Sequence, residues 1–266
     1  MNLLRRHALR GLLVATLAWA GCAFVPPAPD AQVRQALAPA GQLRVGVYAG
    51  SPTSLVKHPG TQERAGVALD LAEAMGRELQ VPVRVVVFSR VAQVLQALKV
   101  GEIDVTFTNA TESRARDVDF TPPLIRLELG YLVPAGSKLQ TADEIDMPKV
   151  RVGVSQGSSS QGVLSQRFKQ AAVVPVPDLK AAQQRLASGE LHAFATNKGI
   201  LFELAATLPG ARVLPGRWGL EHLALAVPKG RDAGMPWLRE FAQASQHNGV
   251  LAAAVARSGL RGMAAD

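Results

Sequence analysis

Short runs of β-branched residues alternate with segments that carry apolar residues at helical spacing along residues 42–108. The strand-like runs are Leu43–Tyr48, Val81–Phe88 and Ile103–Thr108, and the helical segments between them are Gly66–Leu79 and Arg90–Val100. Strand–helix–strand units of this length predict right-handed crossovers and a parallel sheet. This part of the chain is therefore predicted to form an α/β lobe.

A second unit of the same kind occupies residues 150–206. Its predicted strands are Val150–Ser155, Val173–Val176 and Ala193–Thr196, and its predicted helices are Ser158–Phe168, Leu179–Ala187 and Asn197–Ala206. Both units open on the same tetrapeptide, Arg-Val-Gly-Val, at residues 44–47 and 151–154. The pattern therefore predicts two α/β lobes.

Two extended segments that resemble each other, Leu132–Gly136 and Ala226–Gly230, flank the second unit. We expect the first to leave lobe one and the second to return to it, with the helical segment Pro236–Arg257 packing back on lobe one. The predicted fold is α/β, with two lobes joined by a two-strand hinge. Lobe one would comprise residues 42–127 and 223–266, and lobe two residues 128–222. A ligand would bind in the cleft, at the carboxyl ends of the strands.

The N-terminus has the pattern of an export signal. Three arginines precede a ten-residue apolar run, Gly11–Ala20, which is too short to span a bilayer and is typical of a signal peptide. Cleavage before Gly21 is one expectation. The other is cleavage before Cys22, the only cysteine, because Ala-Gly-Cys resembles the end of a lipobox. We predict a signal peptide over residues 1–21, a Pro-rich tether over 22–41, a periplasmic location and a candidate lipidation site at Cys22.

Charge and composition exclude several classes of function. The formal net charge is +8, three of the basic residues lie within residues 1–21, and the remaining excess is spread along the chain. A nucleic-acid surface needs clustered basic residues, so no nucleic-acid partner is expected. Later segments are too short or too polar to cross a bilayer, so membrane contact is expected only through a lipid on Cys22. The histidines lack metal-ligand spacing, and we expect a monomer without metal or cofactor.

Four stretches of the sequence carry a resemblance to a known family. They are GVALDLAEAMGREL (66–79), ALKVGEIDVTFTNATESRARDVDFTPPL (97–124), VRVGVSQGSS (150–159) and LASGELHAFATNK (186–198). Their order and spacing resemble the solute-binding proteins of bacterial ABC importers, family 3, which bind amino acids and related polar solutes. The resemblance covers nearly all of residues 42–250. It implies hinge closure on a small polar ligand and delivery to an importer permease, and not catalysis.

The resemblance also implies a set of site residues. Arg114 matches the arginine that holds the ligand carboxylate in the family, and a guanidinium presents two donors in a fixed fork for that purpose. Thr108 and Asn109 supply polar groups at a strand end. The predicted helix start at Gly157, Ser158 and Ser159 offers backbone N–H groups to an anion. Apart from the resemblance, Tyr48 at the end of the first strand is a candidate to offer a ring or a hydroxyl, and a packing role is the alternative.

Two positions depart from the family pattern. Asn197 stands where amino-acid-binding members carry an aspartate that pairs with the ligand ammonium, and Lys198 follows it. Arg90 stands where an acid is common, and we expect it and Lys198 to bring positive charge to the cleft. Burial of an ammonium without a carboxylate is very costly, so the sequence predicts an anionic or neutral ligand without an α-ammonium. One alternative is that the register assumed for lobe two is shifted, and the other is that another acid, such as Glu203 or Glu221, reaches the site.

Other functions stay open on the sequence alone. Residues 153–157 match Gly-x-Ser-x-Gly, the nucleophile elbow of α/β-hydrolases, with Ser155 as nucleophile and Asp178 with His192 or His222 as partners. No HGGG-like oxyanion segment accompanies this motif. The remaining alternatives are a periplasmic dehydratase on this fold, and a sensor or accessory binding protein that serves a partner other than a permease.

Overall fold

Helices and strands alternate along the chain as the hydrophobic pattern predicts. The computed structural model describes residues 30–57 and 63–265. The first elements are α1 (Ala31–Leu37), β1 (Leu43–Tyr48), β2 (Val56–Lys57), β3 (Arg64–Ala65), α2 (Val67–Leu79), β4 (Val83–Phe88), α3 (Val91–Lys99), β5 (Thr106–Asn109), α4 (Glu112–Ala115) and β6 (Val118–Phe120). The later elements are β7 (Ile125–Val133), β8 (Arg151–Ser155), α5 (Ser159–Arg167), β9 (Ala172–Val176), α6 (Leu179–Ala187), β10 (Ala193–Asn197), α7 (Lys198–Thr207), β11 (Arg212–Val213), β12 (Gly219–Pro228), α8 (Met235–His247) and α9 (Val250–Ser258).

Helix α2 shows how the sequence sets these elements. Val67, Leu71 and Met75 recur every four residues and are fully buried, which is the spacing that places side chains on one helix face. Gly66 precedes the helix because the chain passes close to Ser54 there, and a Cβ would lie 2.0 Å from the Ser54 carbonyl oxygen. The helix ends at Gln80, which adopts the left-handed conformation with φ 57°.

The strands of both lobes meet at one antiparallel pair, β7 with β12. On one side β12 also pairs with β5 and β6, and β1 and β4 form a parallel pair that bridges to Val105. On the other side β7 pairs with β10, and β8 lies between β10 and β9 in parallel. The structure therefore confirms the predicted fold of two α/β lobes joined by a two-strand hinge.

The buried clusters change lobe within β7, whereas the clustered residues of β12 all belong to lobe one. Ile125, Leu127 and Leu223 belong to the core of lobe one, which also contains α2, α8 and α9. Leu132 belongs to a core of lobe two formed with α6 and α7. The chain therefore crosses between the lobes just before Leu132–Gly136 and Ala226–Gly230, the two similar segments predicted as the connections. Those segments contain only the ends of β7 and β12. The lobe boundaries at 127/128 and 222/223 stay a prediction.

The predicted tether differs from the structure in its second half. Residues 22–29, like the predicted signal peptide and Cys22, lie outside the described residues. From Ala31 to Leu37 the chain is helical, with the Asp30 side chain accepting from Gln32 N. Leu37 is 1% exposed and lies in the core of lobe one, so this segment is part of the folded lobe and not an extended spacer.

A buried carboxylate joins three segments of lobe one. Asp104 accepts from Arg44 through the backbone N–H, Nε and Nη2, at 3.0, 2.8 and 2.7 Å. Arg231 Nη2 also donates to Asp104, at 3.4 Å, and Arg231 Nη1 donates to the carbonyl of Ala36 at the end of α1. The strand predicted over Ile103–Thr108 begins only at Thr106, because the N–H groups of Asp104 and Val105 both donate to the carbonyl of Arg44 and the regular ladder starts after them.

We expect Asp104→Ala to lower the free energy of unfolding by about 3 kcal/mol, since it leaves two arginines without their buried partner. Chemical denaturation measures the change. Asp117→Ala is the matched control, because the Lys99–Asp117 pair is about half exposed on both sides and such pairs contribute less than about 1 kcal/mol. Equal losses in the two variants would contradict a special role for Asp104.

Candidate ligand-binding site

A small polar cavity of about 30 Å³ lies between the lobes, which is room for roughly two water molecules. Eight of the nine residues predicted for the ligand site line it: Tyr48, Arg90, Thr108, Asn109, Arg114, Ser158, Ser159 and Asn197. Thr108 and Asn109 on β5 and Asn197 on β10 reach this cavity together because β5, β12, β7 and β10 are neighbours in one sheet. The structure thus brings the set together, and the role of each residue in binding stays a prediction.

Gly157 is the predicted residue that does not line this cavity. Its N–H donates to Gln161 Oε1 at 2.7 Å, so it is not available to a ligand. Its φ is +75°, and a Cβ there would lie 2.6 Å from Ala92 Cβ on α3 of lobe one. Gly157 therefore lies where the two lobes touch beside the site.

Arg114 is held at the cavity by the end of β5. Its Nη1 donates to Thr108 Oγ1 and to the carbonyl of Asn109, both at 3.0 Å. These are the hydrogen bonds that its guanidinium makes within the described chain, so Nη2 and Nε are left for a ligand. Burial lowers the pKa of Arg114, and the nearby charge of Glu221 opposes that shift.

Glu221 on β12, named from the sequence only as an alternative, places an acid in the cleft. Its side chain is buried, at 8% exposure for the residue. Oε2 accepts from Asn197 Nδ2 at 2.9 Å, and Oε1 accepts from Ser159 Oγ at 3.4 Å. Burial raises the pKa of Glu221, while Arg114 and these two donors oppose the shift. The expectation of a cleft without an acid is therefore wrong.

Asn197 connects this carboxylate to the start of α7. Its Oδ1 accepts from Ile200 N at 3.1 Å as the helix N-cap, which directs Nδ2 toward Glu221. An aspartate at this position would place a second carboxylate against Glu221, and like charges at that distance do not both ionise readily. An amide at 197 and an acid at 221 are therefore compatible where two acids would conflict.

Arg90 and Tyr48 lie where the lobes meet. Arg90 Nη1 donates across the cleft to the carbonyl of Pro177 at 3.5 Å, and Nε is buried with no hydrogen-bond partner in the described chain. Tyr48 packs against buried clusters of both lobes, and burial raises its pKa to about 12. Lys198, expected to bring charge to the cleft, instead binds Glu128 at 2.6 Å and does not line the cavity.

The hydrolase alternative does not assemble. Ser155 and Asp178 line the cavity, but Asp178 Oδ1 caps α6 by accepting from Ala181 N. His192 Nδ1 accepts from Arg151 N at the far end of β8, roughly 13 Å from Ser155 along the strand. His222 is exposed, and no hydrogen bond joins these residues within the described chain.

The described residues include no group of three or more His, Cys, Asp or Glu side chains able to hold a metal ion.

Comparison with known proteins identifies the class. Residues 43–258 match the model of the bacterial extracellular solute-binding proteins, family 3. The chain therefore belongs to this family, as the sequence motifs indicated. Within residues 30–57 and 63–265, no helix is both long and apolar enough to cross a membrane.

Three individual proteins are similar to this chain at low sequence identity. The ABC transporter glutamine-binding protein GlnH of Bacillus subtilis is 25% identical over 182 residues, which are 67% of this chain and 66% of that protein. The solute receptor for L-cysteine of Neisseria gonorrhoeae is similar in fold, with a TM-score of 0.75 at 21% identity over 85% of this chain and 92% of that one. The ancestral amino acid-binding protein AncCDT-1, a precursor of cyclohexadienyl dehydratase, has a TM-score of 0.71 at 23% identity over 82% and 95%.

Proposed function

We propose that this protein binds a zwitterionic α-amino acid, with Arg114 on the carboxylate and Glu221 on the ammonium. The observation that carries the proposal is a pair of opposite charges on one cavity, the partly buried guanidinium of Arg114 and the buried carboxylate of Glu221. No ion pair or hydrogen bond joins them within the described chain. A zwitterion supplies both missing partners at once, whereas an anion would leave Glu221 uncompensated. This replaces the anionic ligand expected from the sequence. The glutamine named for the Bacillus subtilis relative supports the same class of ligand.

The mechanism follows from where these groups lie. Arg114 belongs to lobe one, whereas Ser159 and Asn197, which hold Glu221, belong to lobe two. A ligand that contacts both sets binds the closed form better and shifts the population toward it. The hydrogen bond from Asn109 Nδ2 to Ser159 Oγ, at 3.2 Å, closes the same seam. An importer permease would then recognise the closed form.

Two observations distinguish the alternative functions. A permease gene beside this one would distinguish an importer from a sensor, and product formation from the bound ligand would identify an enzyme.

Arg114→Ala is expected to weaken amino-acid binding about 30-fold or more, because loss of one partner of a buried charged pair costs ~2–5 kcal/mol. Isothermal titration calorimetry measures the affinity. Arg116→Ala is the matched control, since Arg116 lies two residues away and is exposed. Unchanged affinity in Arg114→Ala would show that the guanidinium does not hold the carboxylate.

The pH dependence of binding tests Glu221. Only the ionised carboxylate pairs with an ammonium, and the pKa of Glu221 is raised by burial. Affinity is therefore expected to be full above that raised pKa and to fall as the pH drops through it, which begins at a higher pH than for an exposed glutamate.

Glu221→Gln is expected to lower affinity about 30-fold and to remove this pH dependence. Calorimetry between pH 4 and 8 measures both effects, because this range begins near the ordinary glutamate pKa of about 4.3 and extends well above it. Glu240→Gln, an exposed change on α8, should behave as wild type. Retention of the pH profile in Glu221→Gln would assign it to another group.

Export and lipidation form the last part of the proposal. We expect labelled palmitate to be incorporated into the protein in cells, and Cys22→Ala to abolish incorporation. Mass spectrometry of the mature N-terminus is the independent measurement. A terminus at Gly21 would contradict the lipoprotein assignment and would leave periplasmic location intact.

A further inference from the structure

A second, much larger cavity adjoins the polar one. Its volume is about 530 Å³, within the range of roughly 300–1,000 Å³ common for small-molecule sites. It lies between residues 49–57 and 88–89 of lobe one and helices α6 and α7 of lobe two. The two cavities share Ser89, Asp178 and Leu179 as walls. We call the larger one the outer chamber.

The outer chamber has a different chemistry from the polar cavity. Four aliphatic residues on its wall are less than 10% exposed: Leu55, Val56, Leu179 and Leu204. The ring of Phe88 adds to this apolar surface. Its charged residues are Lys57, Asp178, Lys180 and Glu203; both lysines are exposed, and Asp178 Oδ1 is engaged as the cap of α6. A surface of this kind favours an alkyl chain over a charged group, because burial of methylene groups is favourable and burial of an unpaired charge is not.

The partition between the two cavities is thin and belongs to both lobes. Leu179, at the start of α6, approaches Gly50 of lobe one so closely that a Cβ on Gly50 would lie 3.0 Å from Leu179 Cδ1. The polar cavity has room for little more than a carboxylate and an ammonium. Any larger amino acid must place its side chain elsewhere, and the outer chamber is the adjoining space.

Resting on the proposed function, we infer that the outer chamber receives the side chain of the bound amino acid and selects long, apolar side chains. Arg114 and Glu221 would hold the charged head, and Leu179 would lie beside the chain as it passes outward. The chamber would then determine which α-amino acid is bound, whereas the polar cavity recognises the class.

A homologous series of straight-chain L-amino acids tests this inference: alanine, norvaline, norleucine and 2-aminooctanoate. Calorimetry is expected to show affinity rising about three- to fourfold per added methylene group. Gln183→Trp, on the chamber wall, should abolish the increase and leave alanine binding unchanged. Gln184→Trp is the matched control, since Gln184 is the exposed neighbour on α6, and it should retain the increase.

The outcomes separate the inference from the proposed function. If none of the four amino acids binds but L-glutamine does, the inference fails and the proposed function stands. If L-glutamine does not bind either, both fail. If all four bind with equal affinity, or if Gln183→Trp keeps the chain-length dependence, the head site stands and the outer chamber is not the side-chain site. Matching thermal unfolding midpoints for the two tryptophan variants exclude misfolding as the cause of a difference.

Discussion

The antiparallel pairing of β7 with β12 is the interaction on which the rest of the structure depends. Strand β7 contributes to the buried cores of both lobes. Strands β5 and β10, which carry Thr108, Asn109 and Asn197, pair with β12 and β7. Asn109 lies opposite Leu223 on β12, and Asn197 lies opposite Leu129 on β7, which in turn lies opposite Gly219. One sheet therefore sets the positions of groups that come from distant parts of the chain.

The position of Glu221 on β12 follows from this pairing and has an energetic cost. A carboxylate at 8% exposure is retained because Asn197 and Ser159 donate to it and Arg114 lies near it. Such an arrangement contributes little to stability, since desolvation opposes the attraction between buried charges. Its value lies in recognition, because a charged group that already has a fixed orientation loses less conformational entropy on binding than a flexible one.

Sequence reasoning succeeded where local periodicity and burial coincide. Helix α2 and strand β1 lie where the pattern predicted them, because each has one face whose apolar side chains can be buried only in that conformation. It failed over residues 31–37, where a short segment after a Pro-rich run is held by contacts to residues such as Arg231 that are remote in sequence. A signal for Glu221 was present, since Glu221, Leu223 and Leu225 alternate on β12 and the leucines are buried.

By itself, the sequence determined the order of the α/β elements, the two-lobed fold, the family and eight of the residues around the polar cavity. These depend on local patterns and on motifs that a single chain displays. Only the tertiary structure decided the charge balance of the cavity, the diversion of Lys198 to Glu128 and the existence of the outer chamber. Those features depend on which side chains face one another across the hinge, and the distance between two charges in space is not recorded in their separation along the chain.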